Sequence, residues 1–274
     1  MRKPIVWSIL FVVIFGAIAA NYYWRQEKAL APAVPPQAQA PVAGERPTSG
    51  ADTPAIRFPI EEVPSQAAAG PPPITSLRLQ ESDPALREGL WSLFGQQAVV
   101  TFFRVDAIAR RVVATVDSLP RKTLTEQTRP MVRTPGPFRT NGKDETLVLD
   151  PENYRRYGPA VKLAESVDTK KLVALYVRYY PIFQEAYREL GLPSVYFNDR
   201  LIEVIDHLLV APAVNDPIKL EQPKVLYQFE DPALEARSAG HKILIRMGPA
   251  NAAKINAKLR ELRRELTGKD LPKN

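Results

Sequence analysis

DTKKLVALYVRYYPIFQEAYRELGLPSVYFNDRLIEVIDHLLVAP, Asp168 to Pro212, is the stretch whose reading decides the fold. In its first half Leu172, Tyr176, Tyr179, Phe183, Tyr187 and Leu190 recur at steps of three or four, which lays all six on one helical stripe. Lys171, Arg178, Glu185 and Arg188 fill much of the remainder, so the pattern predicts a helix with one buried face. Asp168 is placed to cap it, and Gly191 followed by Pro193 is a stop signal. Pro181 lies inside the run, where it removes the bond to the Val177 carbonyl and clashes with it. A kink, or two helices meeting, is expected there.

The second half reads as a helix with Asn198 as N-cap, Asp199 at the positive helix end and Phe197 stapled onto Ile202. Leu201, Ile205, Leu208 and Leu209 supply its apolar face, and Pro212 ends it. The seven residues Gly191 to Phe197 are short enough to return the second helix alongside the first. This hairpin is the expected centre of the domain.

Outward from it, Asp-Pro recurs as a helix-opening pair at Asp83-Pro84, Asp150-Pro151 and Asp231-Pro232. Leu86, Leu90, Leu93 and Phe94 mark a helix closing at Gly95, and Ile108, Val112, Val116 and Leu119 mark a second. Tyr154, Tyr157 and Val161 give a third, between Asn153 and Val167. Asp231 to Met247 carries Ala236, Ala239 and Gly240, small enough for close helix approach, and Ala250 to Leu266 has Ile255, Leu259, Leu262 and Leu266 in register. Between Arg121 and Asp150 the helical period is lost, and Asn141-Gly142 suggests a β-hairpin turn. Lys224 to Phe229 reads as a short strand or extended link. The fold class is mostly α: a helical domain of six to eight helices with a minor β-hairpin.

Two segments precede that domain. Ile5 to Ala20 carries no charge, follows Arg2 and Lys3, and is followed by Asn21, Tyr22, Tyr23 and Trp24. With its flanks this run is long enough for a bilayer core of roughly 30 Å. Ala17-Ile18-Ala19 also has the form a signal peptidase cleaves, but an aromatic belt has no purpose in a discarded peptide and favours a retained anchor. Residues 25–73 are rich in Pro and Ala with no surviving apolar period, the composition of a disordered linker. The expected organisation is a cytoplasmic terminus at 1–4, one transmembrane helix at 5–24, the linker at 25–73, the helical domain at 74–268 and a tail at 269–274. The basic N-terminus assigns the domain to the periplasmic side of a bacterial inner membrane. The chain holds no cysteine, so stability rests on the apolar core instead of disulfides.

The chemistry-bearing residues are few. His207 shares a helical face with Asp199, Glu203 and Asp206, a carboxylate and imidazole set suited to acid–base work in a hydrolase or lyase. A solvated face with Arg200 paired to Glu203 explains the same residues. His241, the second of two histidines, joins a site only if packing brings it to His207. No phosphate loop, nucleophile elbow or dinucleotide glycine pattern is present, and no cofactor or metal is implied.

Charge points to partners instead. From Lys242 onward nine basic residues face three acidic ones. Lys254, Lys258, Arg260, Arg263 and Arg264 make the last helix a candidate surface for an acidic envelope protein, anionic lipid or cell wall. Nucleic acid does not fit an exported domain. Eight of ten tyrosines fall between Tyr154 and Tyr227. Tyr180 and Tyr196, with Arg178, Asn198 and Arg200 as polar partners, are candidates to line a groove for a glycan or peptide, although rings of this kind also cap helical cores.

The pieces VDSLPR at Val116 to Arg121, NYRRYGPAV, LYVRYYPIFQEAYRELG, YFNDRLIEVIDHLL and YQFEDPALEARSAGHKILIRMGPAN together resemble a proteobacterial family of single-pass envelope proteins, known as a domain of unknown function. The likeness runs from Leu79 to Leu266 and implies an anchor, a linker and a helical domain. It supplies no catalytic residue, cofactor or partner.

Overall fold

The computed structural model describes residues 55–64, 73–191 and 195–269. The expected membrane span at 5–24 and most of the expected linker lie outside them, and among the described residues no helix is long and apolar enough to cross a membrane.

Asp168 caps the central stretch as its sequence requires, its carboxylate accepting the Lys171 amide at 3.1 Å. The chain then breaks at Tyr179, so that Pro181 falls in the first turn of a new helix where its missing amide costs nothing. Ten α-helices result among the described residues, against six to eight expected. They are α1 (Asp83–Phe94), α2 (Gln96–Phe102), α3 (Ile108–Ser118), α4 (Glu152–Ser166), α5 (Thr169–Arg178), α6 (Tyr180–Glu189), α7 (Phe197–Leu209), α8 (Pro232–Glu235), α9 (Ala239–Arg246) and α10 (Pro249–Thr267). The surplus comes from interruptions. Pro181 divides α5 from α6, Gly95 at φ 79° divides α1 from α2, and Ser238 divides α8 from α9 by capping the latter.

The centre of the core is α6, which buries Tyr180, Ile182, Phe183, Ala186 and Tyr187. At ~1.5–3 kcal/mol per large buried side chain, this one helix supplies a substantial part of the driving force for folding. The stripe expected across α5 and α6 holds at Tyr179, Phe183 and Tyr187. It fails at Leu190, which is exposed because the helix has already ended at Glu189. On one side α3 packs against α6 and α7; on the other α10 touches α4, α5, α7 and α9.

The minor β structure is two short antiparallel pairs, β1 (Thr140–Asn141) with β2 (Val148–Leu149) and β3 (Leu220–Glu221) with β4 (Gln228–Phe229). A bridge from Val148 to Lys219 joins them. Asn141 is a strand residue and not a turn position: the positive φ falls at Gly142, and six residues, not two, close the hairpin. Leu149, Ile218, Leu220, Phe229 and Ile245 form a second, smaller core beneath these strands.

Two corrections to the sequence reading matter for function. Ala55 to Pro64, inside the expected linker, is folded onto the domain with Ile60 and Val63 in the main core. Ile60 and Val63, one helical turn apart, give these residues an apolar anchor. Secondly, Asp83 does not cap its own helix. Its two oxygens accept the Ala107 and Ile108 amides, at 2.6 and 2.8 Å, and so cap α3.

Candidate functional site

The carboxylates of the expected catalytic face each go to a different partner. Asp206 pairs with Arg263 of α10 at 2.5 and 3.2 Å, Glu203 pairs with Arg200 at 3.1 Å, and Asp199 turns away to residues 55–64. A helix sends residues 199, 203 and 206 along its length, and three different neighbours receive them. Among the described residues no group of three metal-ligating side chains converges.

His207 and His241 do meet. Their rings stack with centroids 4.2 Å apart and planes 7° from parallel. His207 Nε2 lies 2.8 Å from Ser238 Oγ, and His241 Nε2 donates to the His207 carbonyl at 2.6 Å. Ser238 Oγ also accepts the His241 amide as the α9 cap. Close approach is licensed by Gly240: a Cβ there would stand 2.4 Å from Leu208 Cδ2 and 3.2 Å from the Leu119 carbonyl, to which the Gly240 amide donates. Burial, then the adjacent His241 ring and Arg200, push His207 below the ordinary imidazole range, with Glu203 opposing.

The same seam holds Asp117, a buried carboxylate that sequence reasoning missed because it follows the apolar Val116 on a helix read only for its apolar stripe. It accepts from Arg121 and, at 3.2 Å, from Arg200 Nε. The Ala239 amide donates to the Arg121 carbonyl. Stretches that carried the resemblance, VDSLPR, FNDRLIEVIDHLL and ARSAGHKILIRMG, are thus the ones that meet at this seam.

A second cluster lies at the start of α7. Asn198 was expected to cap this helix; instead Tyr196 holds the cap position and Asn198 is fully buried inside the first turn. Its Nδ2 donates to the Phe58 carbonyl at 2.9 Å, and its Oδ1 accepts from Tyr176 at 3.2 Å. Asp199 accepts the Arg57 and Phe58 amides on separate oxygens, at 2.9 and 2.8 Å, and Tyr196 accepts the Ile60 amide at 2.9 Å. Behind them Gln184, also missed, accepts from Tyr180 and from the Phe197 amide, both at 2.8 Å, and donates to the Val195 carbonyl at 3.0 Å. Tyr180 is buried in the main core, and Tyr196 and Asn198 come together against the chain's own Phe58 and Ile60. Burial raises the Tyr176 and Tyr180 hydroxyls far above their ordinary value, which keeps them neutral hydrogen-bonding groups.

The other expected partner residues have internal duties. Arg200 bridges Asp117 and Glu203, and Arg178 lies 5.7 Å from the Tyr179 ring centre. On α10, Lys254 pairs with Glu165, Lys258 with Glu261 and with the Val167 carbonyl, and Arg263 is buried on Asp206. Only Arg260 and Arg264 of the five basic residues stand exposed without an ion pair among the described residues.

The family model described as Protein of unknown function (DUF3014) matches residues 108–263, and the chain belongs to that family. No curated protein and no solved structure matches the chain.

Proposed function

We propose that this member of the DUF3014 family is a non-catalytic binding or scaffold module of the bacterial cell envelope, held at the inner membrane by residues 5–24 with its helical domain in the periplasm. The observation that carries this reading is the start of α7, where Tyr196, Asn198 and Asp199 are arranged to hold the main chain of a short segment and the nearby carboxylates are each committed to structural partners. Residues 25–54 separate the expected span from the docked segment, a run that reaches at most about 100 Å when fully extended. Such a tether keeps the domain within reach of both bilayer and cell wall. A proteobacterial source accords with the same layout.

A second reading, an envelope hydrolase or lyase, draws on the Ser238–His207 contact at 2.8 Å. A serine nucleophile also needs amides for the oxyanion. Those beside Ser238, from Ala239 and Gly240, already donate to the Arg121 and Leu119 carbonyls.

A reporter enzyme active only in the periplasm, fused after Asn274, tests the placement. Activity is expected in intact cells, and a fusion active only in the cytoplasm would overturn it. For the binding role, in-cell crosslinking of the full chain is expected to give discrete heteromeric adducts; a chain that crosslinks to nothing counts against it.

A further inference from the structure

We propose that the groove at the start of α7 is a recognition site for a short proline-led peptide turn of a partner protein, filled by the chain's own residues 57–63 until such a segment displaces them. This rests on the binding-module reading above and names its ligand class.

The first argument is what the site reads. Asp199 takes two successive amides, those of Arg57 and Phe58; Asn198 gives one donor to the Phe58 carbonyl; and Tyr196 takes the Ile60 amide. All four bonds go to main-chain atoms, so none demands a particular side chain from the ligand. Selectivity is left to the apolar side chains: Ile60 and Val63 are 8% and 4% exposed and Phe58 is half-buried, while Arg57, Glu61 and Glu62 face solvent. Pro59 at φ −58° and ψ 139° holds the approach in polyproline conformation, which costs a ligand little entropy to adopt. The ligand class is therefore a segment with two free amides, then proline, then one 3-10 turn that opens on an aliphatic residue directly after the proline and brings a second aliphatic residue three positions further on to the same face.

The second argument is that the polar groups of the site are positioned by side chains other than the occupant's. Asn198 is oriented from behind by Tyr176, its amide is satisfied by the Tyr180 hydroxyl at 3.4 Å, and Gln184 ties Tyr180, Val195 and Phe197 together. None of these groups belongs to residues 55–64. A site preset by its own supporting shell is ready for a ligand in trans. The occupant, by contrast, comes from a stretch whose composition is otherwise that of a linker.

The test is fluorescence polarisation of a labelled synthetic peptide copying Ala55–Pro64, titrated with the full chain in nonionic detergent. Arg57→Pro in the full chain removes one amide of the internal occupant without touching the core, and it is expected to raise peptide affinity at least tenfold over the unaltered chain. Ile60→Ala, which weakens the apolar anchor instead, is expected to do the same. Adding Asp199→Asn to either is expected to abolish the gain. Absence of peptide binding by a cooperatively folded Arg57→Pro chain would overturn the proposal, as would binding that ignores Asp199→Asn. Either result would leave placement and in-cell partner capture untouched, so it would fail the ligand class and not the binding-module reading.

Discussion

His207 and His241 lie face to face at 4.2 Å across the α7–α9 seam, with Ser238 bonded to the His207 ring and Arg200 and Glu203 close enough to act on its charge. Two imidazolium rings at that separation repel, and a buried ring is costly to charge. His207 is accordingly held below its ordinary value of 6.5, so folding favours its neutral form. A base whose folded pKa is depressed contributes stability that is present above the unfolded value and is lost as pH falls through the folded one. Thermal stability of the full chain is therefore expected to be flat from pH 8 to about 6.5 and to fall below that. His207→Gln is expected to flatten the acid side of the curve. Identical acid profiles for the two chains would remove the histidine pair as the cause.

Arg263 and Arg264 are neighbours in sequence with opposite fates. Arg263 is 8% exposed and holds Asp206 with two bonds, whereas Arg264 faces solvent. Removing one member of a buried pair strands the other, at roughly 3–5 kcal/mol for a fully buried case. Asp206 is 39% exposed, so water takes up part of that loss. Arg263→Ala is expected to cost about 2 kcal/mol, and Arg264→Ala to stay within about 0.5 kcal/mol. Urea denaturation of both variants checks the contrast, and equal midpoints would contradict the pairing.

Periodicity made the helices legible because it reports which face is apolar, and α6 and α7 fell where Tyr187 and Ile205 required them. What it could not report was the partner of each polar residue. Asp83, Asn198 and Asp199 all sit at helix starts, where local spacing makes the first two caps of their own helices and the third a charge at the positive helix end. In the fold, Asp83 caps α3, and Asn198 and Asp199 hold Arg57 and Phe58 from more than a hundred positions away. Local spacing predicts local hydrogen bonds; these are tertiary. Charge can be counted along α10, but the count does not report that Lys254 and Arg263 pair with Glu165 and Asp206 on other helices.

Gly240 shows the packing side of the α7–α9 seam. Alanine there would drive a methyl to 2.4 Å from Leu208 Cδ2, a side-chain end that can move, and 3.2 Å from the Leu119 carbonyl, which cannot move without disturbing its hydrogen bond to the Gly240 amide. Overpacking of this kind costs typically about 1–3 kcal/mol. Gly240→Ala is expected to fall in that range by urea denaturation, and Leu208→Ala introduced with it is expected to recover part of the methyl's cost. A double variant whose loss equals the sum of the two single losses would show that the contact is not shared.

Asp199 gives the clearest readout of whether residues 55–64 belong to the fold. Its carboxylate satisfies two amides at once, and hydrogen bonds to a charged group contribute about 1.5–3 kcal/mol each. The bond after Arg57 is a trypsin site, and cleavage of a docked segment tracks how often it opens. Asp199→Ala is expected to raise the rate of cutting at Arg57 by on the order of 100-fold or more, since each 1.4 kcal/mol is a factor of ten. Cutting at Arg121, whose carbonyl is held by the Ala239 amide, is expected to change far less. Mass spectrometry of timed digests separates the two sites. Parallel acceleration at both would mean that Asp199 supports the whole domain, and an unchanged rate at Arg57 would mean that the segment is held without it.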